Sequence, residues 1–512
     1  MHGTRKLQLP VPDEATITIF FSSGVEKMKI LLAGYNIDSD LIRELKEKSA
    51  LKQDITPETI SAAYARISRS PKSVDQLRSD ARTEVDKARK SNRNIVFEMG
   101  HSSVAEHAVF NIDVIGVSRL LTEEIEKFRL CSYTEKSQRY VLFDKDFVVP
   151  EEITEAGLKD LFIATVGMQN DFYHHLYDQL RPYVFEQNRA LAENLANKSM
   201  LEGWAKEDAR YAIALATETQ LGMTINTRNL ELMLRRLSAL PLAEAHLCSE
   251  KLYSATKDIA PSLIRYTQAT DYDRVTRRNL REVCTPYVAG KENPSSEAVR
   301  LVWATPEADT QAAAALLFAS SGMSYDACLQ EAGQMKPADA KALFKTVFKN
   351  IQSYDAVLRE LENVDMLFEL MMSASCFAQL KRHRMATIIS QDYNTNLGVT
   401  VPPAVRAIGK QKEFMAMIKK TNSVYEIIRH KCPAAAPYVL TNAHRRRVLM
   451  KLNARELYHL ARLRVDQHAQ WDIRDLSEKM LKQARRIMPL TLMMACGKDG
   501  FAARHKKIFP GA

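Results

Sequence analysis

Four groups of residues have the types and spacing to act on an anionic ligand. Arg382-His383-Arg384 sets three cation-capable side chains in a row. Two guanidiniums can each grip a phosphate in a forked geometry, although a solvated basic helix end has the same composition. In Ser132-Tyr-Thr-Glu135-Lys-Ser137-Gln138-Arg139-Tyr140, an extended backbone would turn Glu135, Ser137 and Arg139 to one face. An acceptor, a hydroxyl and a guanidinium suit a sugar phosphate; an ordinary edge strand gives the same pattern. Gly100-His101-Ser-Ser103-Val-Ala-Glu106-His107 pairs a Gly-His turn with a Glu-His dipeptide, and a helix capping box accounts equally for Ser103 and Glu106. The fourth group is Asn453-Ala-Arg455-Glu-Leu-Tyr-His459-Leu-Ala-Arg-Leu-Arg464-Val-Asp-Gln-His468-Ala-Gln-Trp471. On a helix, Asn453 and Arg464 share a face with Leu457 and Leu460 between them. An arginine on such a stripe needs a partner, whether a ligand or a structural carboxylate.

The elements that must position these groups occur twice. Glu124-Ile-Glu-Lys-Phe-Arg129 and Gln379-Leu-Lys-Arg-His-Arg384 each follow a helix-like stretch with an upstream serine, Ser118 or Ser373. Asn226-Thr-Arg-Asn-Leu-Glu-Leu-Met-Leu-Arg235 and Asn453-Ala-Arg-Glu-Leu-Tyr-His-Leu-Ala-Arg462 share Asn, Arg, Leu and Arg at equal spacing. Arg384 follows Arg129 by 255 positions and Asn453 follows Asn226 by 227, so the order is kept with an indel. The extra residues of the first copy are expected between 150 and 205, as long helices. The turn-rich stretch Gly290-Lys-Glu-Asn-Pro-Ser-Ser296 marks the linker. The division is then a 1–27 extension, a first repeat over 28–290 and a second over 291–512. Phe110–Val117 reads as a strand, with Leu367–Met372 as its counterpart. Residues 155–195, 228–257, 411–430 and 454–485 read as helices. The fold class expected is α+β: two tandem domains, each a mixed or antiparallel sheet flanked by long helices.

These motifs together resemble the flavin-dependent thymidylate synthases. That family carries a G-H-x-S-V-x-E-H box, an R-H-R-x-x-S-x-N-E-x-S-x-R signature and an N-A-R-x-L…L-R-x-D-x-H-A-Q-W helix. The resemblance implies transfer of a one-carbon unit to dUMP, making dTMP. Methylenetetrahydrofolate would donate the carbon, FAD would carry the hydride and NADPH would reduce the flavin.

The two copies depart from the pattern in different places. The first reads Lys127-Phe128-Arg129 for R-H-R but keeps Glu135, Ser137 and Arg139. The second keeps R-H-R but reads Ser390-Gln-Asp392-Tyr-Asn394 next, losing a cation and gaining an anion. The first keeps the His101–Glu106 box. The second has no histidines in its matching stretch, Tyr354–Asn363, which is expected to be longer. Arg464 faces Leu237 in the alignment of the copies, and Arg210 faces Pro437. Because the family shares each active site between subunits, the resemblance implies complementation. The second repeat would supply the flavin grip (Arg382, His383, Arg384, Asn453, Arg455, His459), with Arg382 also touching substrate. It would also supply the uracil-activating Arg464 and a ring contact, Gln379. The first would supply the nucleotide-phosphate loop (Glu135, Ser137, Gln138, Arg139), Arg210, and a flavin wall of Ser68, His101, Ser103 and Glu106. Two chains would form a homodimer, a pseudo-tetramer of repeats with two competent and two dead sites. A flavin enzyme acting on another pyrimidine nucleotide, and an inactive nucleotide-binding homologue, are the alternatives.

Bulk properties agree. The chain has 512 residues, 46% hydrophobic and 26% charged, which suits two or three soluble domains. A net charge of +10 fits an anionic ligand or simple solubility, and no nucleic-acid recognition motif accompanies it. The seven cysteines form no C-x-x-C pair, so neither a zinc cage nor a disulfide framework is expected, and a reducing cytoplasm is the natural setting. No apolar run approaches the roughly 20 residues of a membrane helix.

Overall fold

A computed structural model describes residues 28–42, 56–67, 70–139, 141–143, 146–291 and 297–510. Ser68, the 1–27 extension and residues 292–296 of the linker lie outside them.

The expected pair of strands is present, at β2 (Val109–Ser118) and β6 (Asp365–Ser373). Side chains alternate across a pleated strand. Phe110, Ile112 and Val114 of β2, and Met366, Phe368 and Leu370 of β6, therefore go into two equivalent cores. The remaining strands are β1 (Lys29–Tyr35), β3 (Cys131–Glu135), β4 (Glu218–Asn226), β5 (Val299–Ala304), β7 (Thr387–Ser390) and β8 (Arg445–Asn453). They form two four-stranded sheets of identical order, β1-β2-β4-β3 and β5-β6-β8-β7. Every pairing is antiparallel, which resolves the mixed-or-antiparallel expectation.

The expected helices appear with breaks. Residues 228–257 divide into Thr227–Leu237 and Ala243–Thr256 at Ser238-Ala-Leu-Pro-Leu242. Residues 454–485 divide into Ala454–Arg464 and Trp471–Ile487. The 155–195 stretch is chiefly the helix Lys159–Gln187, and 411–430 is Gln411–Lys431. The indel of the first repeat includes the short helix Lys198–Ala209, which leads directly into Arg210. One expectation is reversed. The β1–β2 connection runs from Asn36 to Ala108 and the β5–β6 connection from Thr305 to Val364, so the second copy is shorter there.

The repeats face each other about an approximate two-fold axis. Leu215 N–H donates to Leu440 O (2.7 Å) and Asn442 N–H to Ile213 O (3.0 Å); Ala216 N–H donates to Tyr438 O (3.0 Å) and Ala443 N–H to Tyr211 O (3.2 Å). In each pair the bonds swap partners 227 positions apart, the reciprocity of an isologous dimer contact within one chain. A hydroxyl–carboxylate–tyrosine triad recurs with the same exchange. Ser118 Oγ and Tyr438 OH donate to Glu244 (2.7 and 2.6 Å), and Ser373 Oγ and Tyr211 OH donate to Asp472 (2.5 and 2.9 Å). Near the axis the symmetry is broken by charge. Glu126 and Lys381, equivalent positions, are both buried and form a 2.8 Å ion pair.

Candidate functional site

Arg464 closes the Ala454–Arg464 helix, whose start is fixed by Asn453 Oδ1 accepting from Glu456 N–H (2.8 Å). Leu457 and Leu460 bury the intervening face. Arg464 Nε donates to His383 Nε2 (3.1 Å) and its Nη2 to the Gln379 carbonyl (3.3 Å). Burial, then the Arg382 and Arg139 guanidiniums, push its pKa down to about 10, so it is still a cation at neutral pH. His383 is buried and its Nε2 receives a guanidinium proton, so Nδ1 carries the ring proton and donates to Glu456 Oε1 (3.2 Å). Burial holds its pKa below the usual histidine value, so it is neutral and orients Arg464.

The first repeat brings its cations to the same place. Arg139 Nε donates to Glu207 Oε2 (2.6 Å), and its Nη2 donates to the His468 carbonyl, four residues beyond Arg464 (3.2 Å). Gln138 Oε1 accepts from Asn442 Nδ2 (3.0 Å), which also donates to the Arg210 carbonyl (3.0 Å). The Gln138 Nε2, and Nε and Nη2 of the buried Arg210, are sealed from solvent and make no hydrogen bond among the described residues. Burial pushes the Arg210 guanidinium down from its ordinary value. Trp471 stacks on Tyr211 (centroids 5.6 Å apart) and donates from Nε1 to Asp208 Oδ1 (2.7 Å). Burial raises the Asp208 carboxyl to about 7. Cys376 lies within electrostatic reach of Arg464 and Arg210. Burial pushes its thiol well up, so it is no thiolate nucleophile.

Gln138, Arg139 and Arg210 of the first repeat thus converge with Gln379, Arg382 and Arg464 of the second. Other expected site residues are engaged differently. β3 stops at Glu135, so Ser137 and Arg139 follow in a turn and not on a strand face; Ser137 Oγ accepts from Arg139 N–H (3.2 Å). Glu135 is an internal counter-charge, 3.8 Å from Arg119 and 3.6 Å from Arg382. Asn453 is spent on its cap, and Arg455 pairs with Glu362 (2.7 Å). His101, Ser103 and Glu106 sit in the corner of their own repeat, where Glu106 pairs with Arg228 (2.5 Å). Arg382 and His459 are exposed, and Arg384 is partly so.

Several members of the site carried little sequence signal. Glu207 lies one helical turn before Arg210, a spacing that could have pointed to it. Gln470 and Trp471 belong to the H-A-Q-W motif but received no role, and Asn442 had no signal. The equivalent place in the other half is packed core. Leu237 stands for Arg464, Leu242 for Gln470, Leu215 for Asn442 and Leu121 for Cys376, and all are buried. Tyr393 fills the position of Gln138, with its ring 4.2 Å from the Arg446 guanidinium and its hydroxyl donating to Glu123 (2.8 Å).

Among the described residues no group of three or more His, Cys, Asp or Glu could hold a metal, and no helix is long and apolar enough to cross a membrane. A UPF0159 protein of Thermoplasma acidophilum is 25% identical over 435 residues, covering 78% of this chain and 86% of its own length. A UPF0159 protein of Chlamydia muridarum is 25% identical, covering 80% of this chain and 81% of its own. A flavin-dependent thymidylate synthase of Clostridium tetani is 31% identical over 216 residues, covering 41% of this chain and 82% of its own length, about the span of one repeat. The family model described as Thymidylate synthase complementing protein matches residues 50–262 and again 300–490, so the chain belongs to that family, the flavin-dependent thymidylate synthases, and matches it twice.

Proposed function

We propose that this chain is a flavin-dependent thymidylate synthase with one nucleotide site per chain, built by both repeats. The observation that carries the reading is Arg210. A buried guanidinium with two unpaired nitrogens is costly unless an anion completes it. Beside Arg139 and Gln138, that anion is the phosphate of dUMP. Arg464, held by neutral His383, faces the pyrimidine and stabilises the negative charge that develops on it, worth roughly 3 kcal/mol for a preorganised donor. Gln379 contacts the ring. Asp208, poised near neutrality, is able to hold or release a proton beside the phosphate site.

The exposed turn around Arg382 and Arg384, with His459 alongside, has the donors a dinucleotide pyrophosphate requires and fits FAD. Bound there, the flavin supplies the hydride that reduces the transferred carbon, with methylenetetrahydrofolate and NADPH as co-substrates. The His101–Glu106 corner, by the family's sharing of sites between subunits, serves the flavin of a second copy in a homodimer.

The test is tritium release from dUMP labelled at carbon 5, with FAD, NADPH and methylenetetrahydrofolate present. Release with dTMP formation is expected, and Arg139→Ala and Arg464→Ala should each abolish it. A yellow, folded protein that releases no tritium would move the activity to another pyrimidine nucleotide. Near-normal turnover in either variant would make one repeat self-sufficient and refute the shared site.

A further inference from the structure

The Gln379 amide is held by a hydrogen-bonded chain that crosses both repeats. Asp472 accepts from Ser373 Oγ (2.5 Å) and Tyr211 OH (2.9 Å). With its proton so directed, the Tyr211 oxygen accepts from Gln470 Nε2 (2.9 Å). Gln470 Oε1 must then point the other way, where the Ile473 backbone N–H donates to it (3.4 Å) and opposes a flipped amide. Gln379 Nε2 donates to that same oxygen (3.3 Å). The Gln379 carbonyl oxygen is left over. It makes no hydrogen bond among the described residues, and it is not among the atoms sealed from solvent. Its own backbone carbonyl receives Arg464, so Gln379 itself borders the Arg464 site.

The other half of the molecule provides an internal control. The Ser118–Glu244–Tyr438 triad is intact there, but the next link is Leu242 in place of Gln470. The triad therefore belongs to the architecture common to both repeats, whereas the Gln470–Gln379 extension occurs only in the half with the converging arginines.

We infer that Gln470 is a positioning residue that locks the Gln379 amide with its carbonyl oxygen toward the ligand, where it accepts from a base N–H, so the site selects a uracil-type base over a cytosine-type one. The inference rests on the pyrimidine-nucleotide reading above. An acceptor opposite the imide N–H of uracil is satisfied; opposite the N3 lone pair of cytosine it is repelled and left unpaired, a loss that sites of this kind convert into discrimination.

The experiment is titration of the full-length protein with dUMP and with dCMP, followed by calorimetry, for wild type, Gln470→Leu, Gln470→Glu and Tyr211→Phe. Wild type should favour dUMP by about tenfold or more, the value of one hydrogen bond lost and one acceptor stranded. Gln470→Leu installs the residue the other half already tolerates and should shrink that ratio to within about threefold. Tyr211→Phe removes one anchor and should fall between. Gln470→Glu keeps the oxygen that holds Gln379 but lacks the donor to Tyr211, and should likewise fall between. A ratio unchanged in Gln470→Leu and Tyr211→Phe, with unaltered melting temperatures, overturns the inference. If Gln470→Leu does not fold, Tyr211→Phe decides alone. Wild type that binds neither nucleotide sinks the pyrimidine reading itself, a different result from binding both without preference.

Discussion

Replacing Arg210 with methionine should move stability and ligand response in opposite directions. The guanidinium is buried, with Nε and Nη2 unpaired. A buried unsatisfied donor costs about 1–3 kcal/mol, and two are present. Methionine keeps most of the volume and removes both donors, so the ligand-free variant should be more stable than wild type by about 2 kcal/mol, after allowance for lost attraction to Glu207. The equivalent position of the second repeat carries no charge, being Pro437. Wild type should gain stability on adding dUMP, by about 2.7 kcal/mol at a hundred times Kd, and the variant should gain almost none. Urea unfolding with and without dUMP measures all four states. A variant less stable than wild type without ligand, yet still stabilised by dUMP, would refute the claim that Arg210 awaits a phosphate.

Three further expectations concern the surroundings of the site. Asp208, raised to about 7 from 3.8, keeps its proton in the folded state after the unfolded chain has lost it; stability should fall as pH rises from about 4 to 7, by roughly 4 kcal/mol, and Asp208→Asn should remove that slope in urea midpoints taken at pH 5 and 8. Gly497→Ala would place a Cβ 2.7 Å from the Val465 carbonyl and 2.8 Å from Asp466 N, pushing on the chain just after Arg464; a loss of about 2 kcal/mol in urea unfolding and a drop in kcat are expected. Glu126→Lys should destabilise by about 3–5 kcal/mol, since it opposes two buried ammoniums, and adding Lys381→Glu should recover most of it in a double-mutant cycle.

Much of this arrangement was legible in the sequence because it is written in local patterns. Apolar-rich stretches at Phe110–Val117 and Leu367–Met372 read as the central strands, and equal spacing around Asn226 and Asn453 revealed the duplication. Arg139, Arg210 and Arg464 were legible as types and as complementary losses. What was hidden depends on contacts distant in sequence. Glu135 reads as a ligand acceptor until Arg119 and Arg382 are seen to claim it. Asn453 and Arg455 have the chemistry to hold a cofactor, but a helix cap and Glu362 use it. Asn442 and Gln470 reach across the repeat boundary, to Gln138 and Tyr211, and no short window along the chain contains both partners.

The Glu126–Lys381 pair carries a record of sequence history. In a symmetric homodimer the residue on the axis meets a copy of itself, so a substitution there always arrives twice and like would face like. A glutamate opposite a lysine at equivalent positions is possible only once the two halves are encoded separately. Leu215, Leu237 and Leu242, buried where the other half has Asn442, Arg464 and Gln470, obey the same logic, because in a homodimer each would appear in both halves. The two halves have therefore diverged as separately encoded sequences. Two copies of either repeat alone would set like charges against each other at that position.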